Sequence, residues 1–122
     1  MHPLPIAPLL AAVLAILMSS ARAQEVPAAT DQTFWCAAAY GVASVFAGED
    51  GQAEVAATLL GYSETLAVAG KQTLAAQGME TAAGDAIALG YFDEVLAQFG
   101  GEGEPRFTVG QCETILRPLL AL

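Results

Sequence analysis

Apolar residues recur at helical spacing along most of this chain, and no stretch of useful length alternates as a β-strand would. Residues 34–47 contain no charged side chain, and four apolar members of this stretch fall on one helical face: Trp35, Ala39, Val42 and Phe46. A helix that is apolar around most of its circumference is a buried helix. We therefore expect residues 34–47 to form the central helix of the fold.

Polar groups mark the start and one side of this first helix. Thr30 or Asp31 supplies a side-chain oxygen that fits an N-cap. A narrow strip formed by Thr33, Ala37, Gly41 and Ser44 remains for contact with water or with a close neighbour.

A second amphipathic pattern follows the turn Gly48–Gly51. Asp50 is the expected cap of this helix, and one narrow sector holds Val55, Leu59, Tyr62, Leu66 and Ala69. The pattern predicts a helix of about 17 residues that Gly70 ends, or one that continues over residues 71–77.

Residues 78–100 are less regular, because Gly78, Gly84 and Gly90 recur every six residues. As a single helix this segment places Asp85 in the middle of an apolar face made by Ala82, Leu89, Phe92, Leu96 and Phe99. Either the helix breaks near Gly84 and Asp85 is a cap, or Asp85 is a buried carboxylate. We expect the break; the glycines equally fit close contacts between helices.

The last segment begins after the loop Gly100–Pro105. Thr108 and Gln111 have the spacing of a capping box. Apolar positions follow at helical spacing: Cys112, Ile115, Leu116 and Leu119. Pro118 is expected to kink or end this helix near Arg117, because proline lacks the backbone N–H.

The two cysteines, Cys36 and Cys112, predict one disulfide between the first and last helices. A redox-active pair is the alternative, although such pairs usually have the spacing Cys-x-x-Cys. The predicted fold class is all-α: a small disulfide-stabilised bundle of about four helices that forms a single domain over residues 31–122.

The first 23 residues have the pattern of a signal peptide. An apolar run from Ile6 to Met18 is followed by the small-x-small triplet Ala21–Ala23, which is typical of a cleavage site. The run is shorter than a membrane span needs, so an uncleaved anchor is the weaker alternative. We expect residues 24–30 to be a flexible lead and the product to be periplasmic or secreted, without a stable membrane anchor.

Residues 24–122 are strongly acidic. They contain all 13 Asp and Glu residues and three cations (Lys71, Arg106 and Arg117), a difference of ten negative charges. Such a surface repels phosphates and anionic head groups, which argues against nucleic-acid binding. The acidity instead keeps an apolar, alanine-rich domain in solution.

Candidate catalytic groups are few. Residues 24–122 contain no histidine, no nucleotide-binding motif and no nucleophile elbow, so we expect neither an enzyme nor a bound metal or cofactor. The carboxylate pairs are Glu49/Asp50, Asp93/Glu94 and Glu102/Glu104. A small carboxylate-based hydrolase is therefore a minor alternative, as is weak binding of a divalent cation at residues 48–51 or 100–105.

These features favour function by contact with another envelope protein, and the adjacent Tyr91 and Phe92 are the candidate contact patch. A second hypothesis rests on Trp35–Cys36. A short, exported, helical, single-disulfide chain with tryptophan beside its first cysteine resembles the small periplasmic acid-stress chaperones, although its cysteines are farther apart. The resemblance implies protection of other proteins under stress.

Overall fold

The computed structural model describes residues 26–122, which form four α-helices. These are α1 (Ala28–Glu49), α2 (Ala53–Ala76), α3 (Thr81–Phe99) and α4 (Val109–Leu120). No strand occurs among these residues, so the all-α prediction with about four helices is confirmed. No helix in residues 26–122 has both the length and the hydropathy to cross a membrane. The predicted signal peptide, residues 1–23, lies outside the described residues.

Helix α1 begins earlier than predicted. Pro27 occupies the N-cap position, and the N–H of Asp31 donates to the Pro27 carbonyl at 2.8 Å. Proline fits a helix start, where backbone N–H groups have no intrahelical partner. The N-cap prediction at Thr30 or Asp31 is therefore wrong, and the last three residues of the expected lead (28–30) are helical.

The interface between α1 and α2 is the most extensive in the bundle. Hydroxyl groups join the two helices: Ser63 donates to the Ala37 carbonyl at 2.7 Å, and Ser44 donates to the Ala56 carbonyl at 2.9 Å. The strip of small residues on α1 is thus a close helix contact, the second of the two options predicted for it. Phe46 was placed on the buried face, and that was wrong because its side chain is exposed.

Helix α2 continues through Gly70 to Ala76, which is the longer of the two extents that the sequence pattern left open. The ring of Phe34 lies so close to Gly70 that a Cβ there would be 2.9 Å from the ring Cζ. This glycine therefore admits an aromatic ring from α1 and does not act as a stop signal. The Asp50 cap is also wrong, because Gln52 is the N-cap residue and no side chain caps this helix.

Helix α3 is unbroken, so the predicted break near Gly84 is wrong. Asp85 is neither a cap nor a buried carboxylate: it is exposed and pairs with Lys71 at 3.3 Å. The side of α3 that packs on the bundle carries Gly84, Tyr91 and Val95. The predicted apolar face lies largely outward, with Leu89, Leu96 and Phe99 exposed.

Helix α4 is fixed at its start. The capping box is present in both directions, with Thr108 and Gln111 each bonding the other's backbone N–H. The disulfide between Cys36 and Cys112 is also present, with Cα atoms 5.4 Å apart. Pro118 does not end the helix at Arg117, because α4 runs to Leu120.

Candidate functional site: an apolar groove and the ion network beside it

A groove of about 470 Å³ lies beside the disulfide. Its lining residues come from all four helices and from the segment that leads into α4: Trp35, Ala39, Tyr40, Ala43, Leu59, Phe99, Pro105, Phe107, Thr108, Val109 and Cys112. Ligand-binding clefts have volumes of roughly 300–1,000 Å³ and predominantly apolar walls. This groove meets both conditions.

Small residues of α1 leave space for the groove, and large aromatic rings form part of its wall. Ala39 and Ala43 lie one helical turn apart on the floor and leave room above the backbone. At one end the ring of Phe107 meets the Trp35 indole edge to face, with centroids 5.5 Å apart. Such aromatic pairs prefer this geometry and hold both rings in place.

The disulfide fixes one wall. Cys36 is fully buried next to Trp35, and Cys112 is a lining residue in the first turn of α4. The bond therefore holds the start of α4 against α1. Closing a loop with a sequence separation of 76 stabilises a fold by up to about 4.5 kcal/mol in the chain-entropy treatment.

Arg106 joins two helices at the edge of the groove. Its Nη1 lies 2.8 Å from Oδ2 of Asp31 in α1, and its Nε lies 2.7 Å from Oε2 of Glu94 in α3. Bonds between ionised partners are stronger than neutral ones, and the planar guanidinium suits two carboxylates at once. Arg106 thereby ties the segment carrying Pro105 and Phe107 to the bundle.

Aromatic rings complete the network. The Tyr91 hydroxyl donates a short hydrogen bond to Oδ1 of Asp31, and the Tyr91 ring stacks on Phe34 at a centroid distance of 5.4 Å. The guanidinium carbon of Arg106 lies 5.9 Å from the ring centre of Tyr91 and 5.6 Å from that of Phe107. Both distances permit a cation–π attraction.

Gln98 connects the network to the groove. The indole N–H of Trp35 donates to Oε1 of Gln98 at 2.9 Å, and Nε2 of Gln98 donates to Glu94 at 2.9 Å. Within residues 26–122 no buried side-chain nitrogen or oxygen lacks a hydrogen-bond partner. Since an unpaired buried polar group is costly, this network supports a single arrangement of the site.

The network shifts three ionisation equilibria. Hydrogen bonds from Arg106 lower the pKa of Asp31, although burial opposes them. Burial, followed by the bond to Asp31, raises the pKa of Tyr91. Bonds to Asp31 and Glu94 raise the pKa of Arg106. At neutral pH the ion pair is therefore intact and the phenol is protonated.

The predicted contact patch lies outside the groove. Tyr91 belongs to the ion network, and Phe92 lies near Gly41, where an added Cβ would be 3.8 Å from its ring. Phe92 also lines a second cavity of about 400 Å³ whose rim includes Lys71 and Asp85. Both aromatic residues are half-buried, and their role as a contact patch stays a prediction.

Within residues 26–122, none of the predicted carboxylate pairs lines the groove. Asp93 is exposed, and Glu94 binds Arg106. Glu49 and Asp50 are exposed at the end of α1, and Glu102 and Glu104 are exposed in the loop before α4. No carboxylate from the part of the chain that the structure describes is among the lining residues. Within residues 26–122, no three His, Cys, Asp or Glu residues are placed to hold a metal ion.

Sequence reasoning missed Arg106 and Gln98. Arg106 is 75 positions from Asp31, so helical spacing could not link them. The available signal was scarcity, because Arg106 is one of few cations in an acidic chain and directly precedes an aromatic residue. No family model, curated protein or solved structure matches this chain.

Proposed function

We propose that this protein is an exported, non-enzymatic helical module that binds a partner protein through the apolar groove beside its disulfide. The observation that carries the proposal is the groove itself, whose walls are fixed by the Cys36–Cys112 bond and by Arg106. A pre-formed apolar site avoids part of the ordering cost of association, which favours binding.

The chemistry of the lining supports contact more than catalysis. Among the lining residues that residues 26–122 supply, Tyr40 is the one titratable side chain, and its pKa is raised, first by burial. General acid–base chemistry at neutral pH needs a group that titrates near that pH. Aromatic side chains such as Trp35 and Phe107 are instead typical of contact sites between proteins.

Export is part of the proposal. A disulfide between distant cysteines persists in oxidising compartments, and the first 23 residues have the pattern of a signal peptide. The expected partner is therefore another protein of the cell envelope or of the surroundings.

A photo-crosslinking residue tests the proposal directly. Val109 lies on the groove rim with 71% of its surface exposed, whereas Val68 lies on the outside of α2 with 49% exposed. We expect the crosslinker at position 109 to form a discrete adduct in the envelope fraction of the source cells, and the same residue at position 68 to form none. Absence of an adduct at 109, or equal labelling at both positions, would overturn the proposal.

A blocked groove provides the second measurement. Ala43→Phe fills the floor, while Ala57→Phe adds the same ring at an exposed position on α2 that does not line the groove. The first change is expected to abolish the adduct from position 109 and the second to preserve it. An adduct that survives Ala43→Phe in a folded protein would place the contact elsewhere.

Acid-stress protection is a second candidate, because two carboxylates hold the groove wall. In acid, protonated Asp31 no longer binds Arg106 as an ion, which loosens the segment with Phe107 and widens access to the apolar lining. We expect the wild type to suppress aggregation of an acid-unfolded dehydrogenase at a pH below the folded pKa of Asp31, and not at pH 7. Arg106→Gln should already suppress it at pH 7; unchanged light scattering in every case would remove this candidate.

A further inference from the structure

We infer that the segment bound by the groove is a basic amphipathic helix, with apolar anchors for the groove and Lys or Arg residues for a carboxylate-bearing rim. This inference rests on the proposed function and specifies the chemistry of the partner. A helix laid into an apolar groove is a common way for one protein to recognise a segment of another.

Exposed carboxylates are neighbours in sequence of the lining residues. Glu104 directly precedes Pro105, and Glu113 directly follows Cys112. The charge of Glu113 reaches the groove, because it contributes to the raised pKa of Tyr40 after the larger effect of burial. Glu102 is exposed in the same loop as Glu104.

Among residues 26–122, no cation near the groove offsets these charges strongly. Arg106 is paired with Asp31 and Glu94. Arg117 reaches Glu113 at 3.5 Å, but its side chain is 79% exposed, and an exposed pair of this kind contributes little. Lys71 lines the second cavity and not this groove.

The amino end of α4 is the other positive feature at the groove, and it is already capped. The N–H of Gln111 bonds the Thr108 hydroxyl, and the N–H of Thr108 bonds the Gln111 side chain. A carboxylate-bearing ligand such as a fatty acid would therefore meet the acidic rim with little compensation. A cationic segment meets the same rim favourably, which decides between the two classes of occupant.

Trp35 makes the inference measurable without a label, because it is the one tryptophan of the chain and it lines the groove. The probes are three tryptophan-free peptides of about 14 residues with Leu and Ile at positions i, i+3, i+4 and i+7. Their polar positions carry Lys, Gln or Glu. Trp35 emission reports binding of each one.

We expect the Lys peptide to bind roughly tenfold more tightly than the Gln peptide at low salt, and the Glu peptide to bind least. The preference should vanish near 1 M salt, where the Debye length falls to about 3 Å. Most of the preference for the Lys peptide should be lost in the triple variant Glu102→Gln/Glu104→Gln/Glu113→Gln. The preference should stay intact in the matched variant Glu54→Gln/Glu64→Gln/Glu80→Gln, which alters the net charge equally at exposed sites outside the lining.

Val109→Lys tests the charge preference at the groove rim. Val109 is highly exposed, so this substitution leaves the core unchanged. It should weaken binding of the Lys peptide and strengthen that of the Glu peptide. Equal binding of the Lys and Gln peptides, with both lost in Ala43→Phe, would overturn the basic partner and leave the proposed function standing.

Two further outcomes would identify a different occupant of the groove. Tighter binding of dodecanoate than of any peptide, reported by Trp35, would assign the groove to an acyl chain. A stable dimer in sedimentation that Ala43→Phe dissociates would assign it to a second copy. Failure of all peptides, together with no adduct from position 109, would overturn the proposed function as well.

Discussion

The indole N–H of Trp35 donates to the side-chain oxygen of Gln98, which lies 63 positions later in the chain. Trp35 is almost completely buried, so this amide satisfies a donor that water does not reach. A buried donor left without its partner costs about 1–3 kcal/mol. Gln98 therefore specifies how α3 faces α1.

Replacing Gln98 with Leu should lower the free energy of unfolding by about 1–3 kcal/mol, since the Trp35 donor is then unpaired. Urea denaturation followed by Trp35 emission measures the change. Gln72→Leu, at an exposed site on α2, is the matched control and should stay within about 0.5 kcal/mol of the wild type. Equal stability of the Gln98 variant and the wild type would contradict the role of this bond.

Replacing Arg106 with Gln should loosen the segment that carries Phe107, because the bonds to Asp31 and Glu94 are lost together. The near-ultraviolet circular dichroism of Trp35 should weaken, since Phe107 packs against the indole. Arg117→Gln removes the same charge from a mostly exposed side chain and should leave the signal unchanged. A similar spectrum for both variants would show that Arg106 does not hold the wall.

Acid should remove the contribution of the Arg106–Asp31 pair. The pKa of Asp31 is lower in the folded protein than its ordinary value, so the pair stabilises the fold fully above the unfolded pKa of about 4. That contribution is lost as pH falls through the folded pKa, where Asp31 takes up a proton. The stability difference between wild type and Asp31→Asn should therefore be constant from about pH 5 to pH 8 and shrink below pH 4. A stability difference that grows as the pH falls would contradict this prediction.

Gly70→Ala should destabilise the protein, although alanine is the better helix former by up to about 1 kcal/mol. The added Cβ would lie 2.9 Å from Cζ of Phe34, a buried ring with little space to move. Gly61→Ala is the control in the same helix, because nothing lies within 4 Å of its added Cβ. Thermal unfolding should show a lower midpoint for the first variant and an equal or higher midpoint for the second.

Loss of the disulfide should reduce stability by up to about 4.5 kcal/mol, because the unfolded chain regains the freedom that the bond removes. Cys36→Ser/Cys112→Ser, compared with the wild type in urea, measures this loss. Reductant should lower the midpoint of the wild type and leave that of the variant unchanged. An identical midpoint for the oxidised and reduced wild type would mean that the bond adds little to the fold.

Local signals in the sequence predicted the features that depend on a few neighbouring residues. The capping box depends on two residues three positions apart, Thr108 and Gln111. The pairing of Cys36 with Cys112 could be predicted because the chain has two cysteines. The extent of the helices was harder to predict, because the effect of Gly70 depends on Phe34 in another helix.

The inward face of α3 was misassigned for a similar reason. Apolar periodicity favoured Leu89, Leu96 and Phe99, whereas the bundle buries Val95 and turns Gln98 toward the Trp35 indole. A polar residue is preferred there because its partner is a buried N–H, which a hydropathy pattern does not represent. The groove and its ion network bring together residues remote in sequence, so no local pattern could predict them.

The bond between Cys36 and Cys112 also makes most of the domain a covalent ring. The loop Gly100–Pro105 lies inside that ring, exposed and with positive φ at Gly101 and Gly103. A protease that cuts this loop would leave α4 attached to α1 through sulfur, and the nicked protein would separate into two pieces only under reducing conditions. A single cleavage would thus free the groove wall from the chain on one side. The two pieces would stay joined by the disulfide, so the mass of the nicked protein would rise only by that of one water molecule.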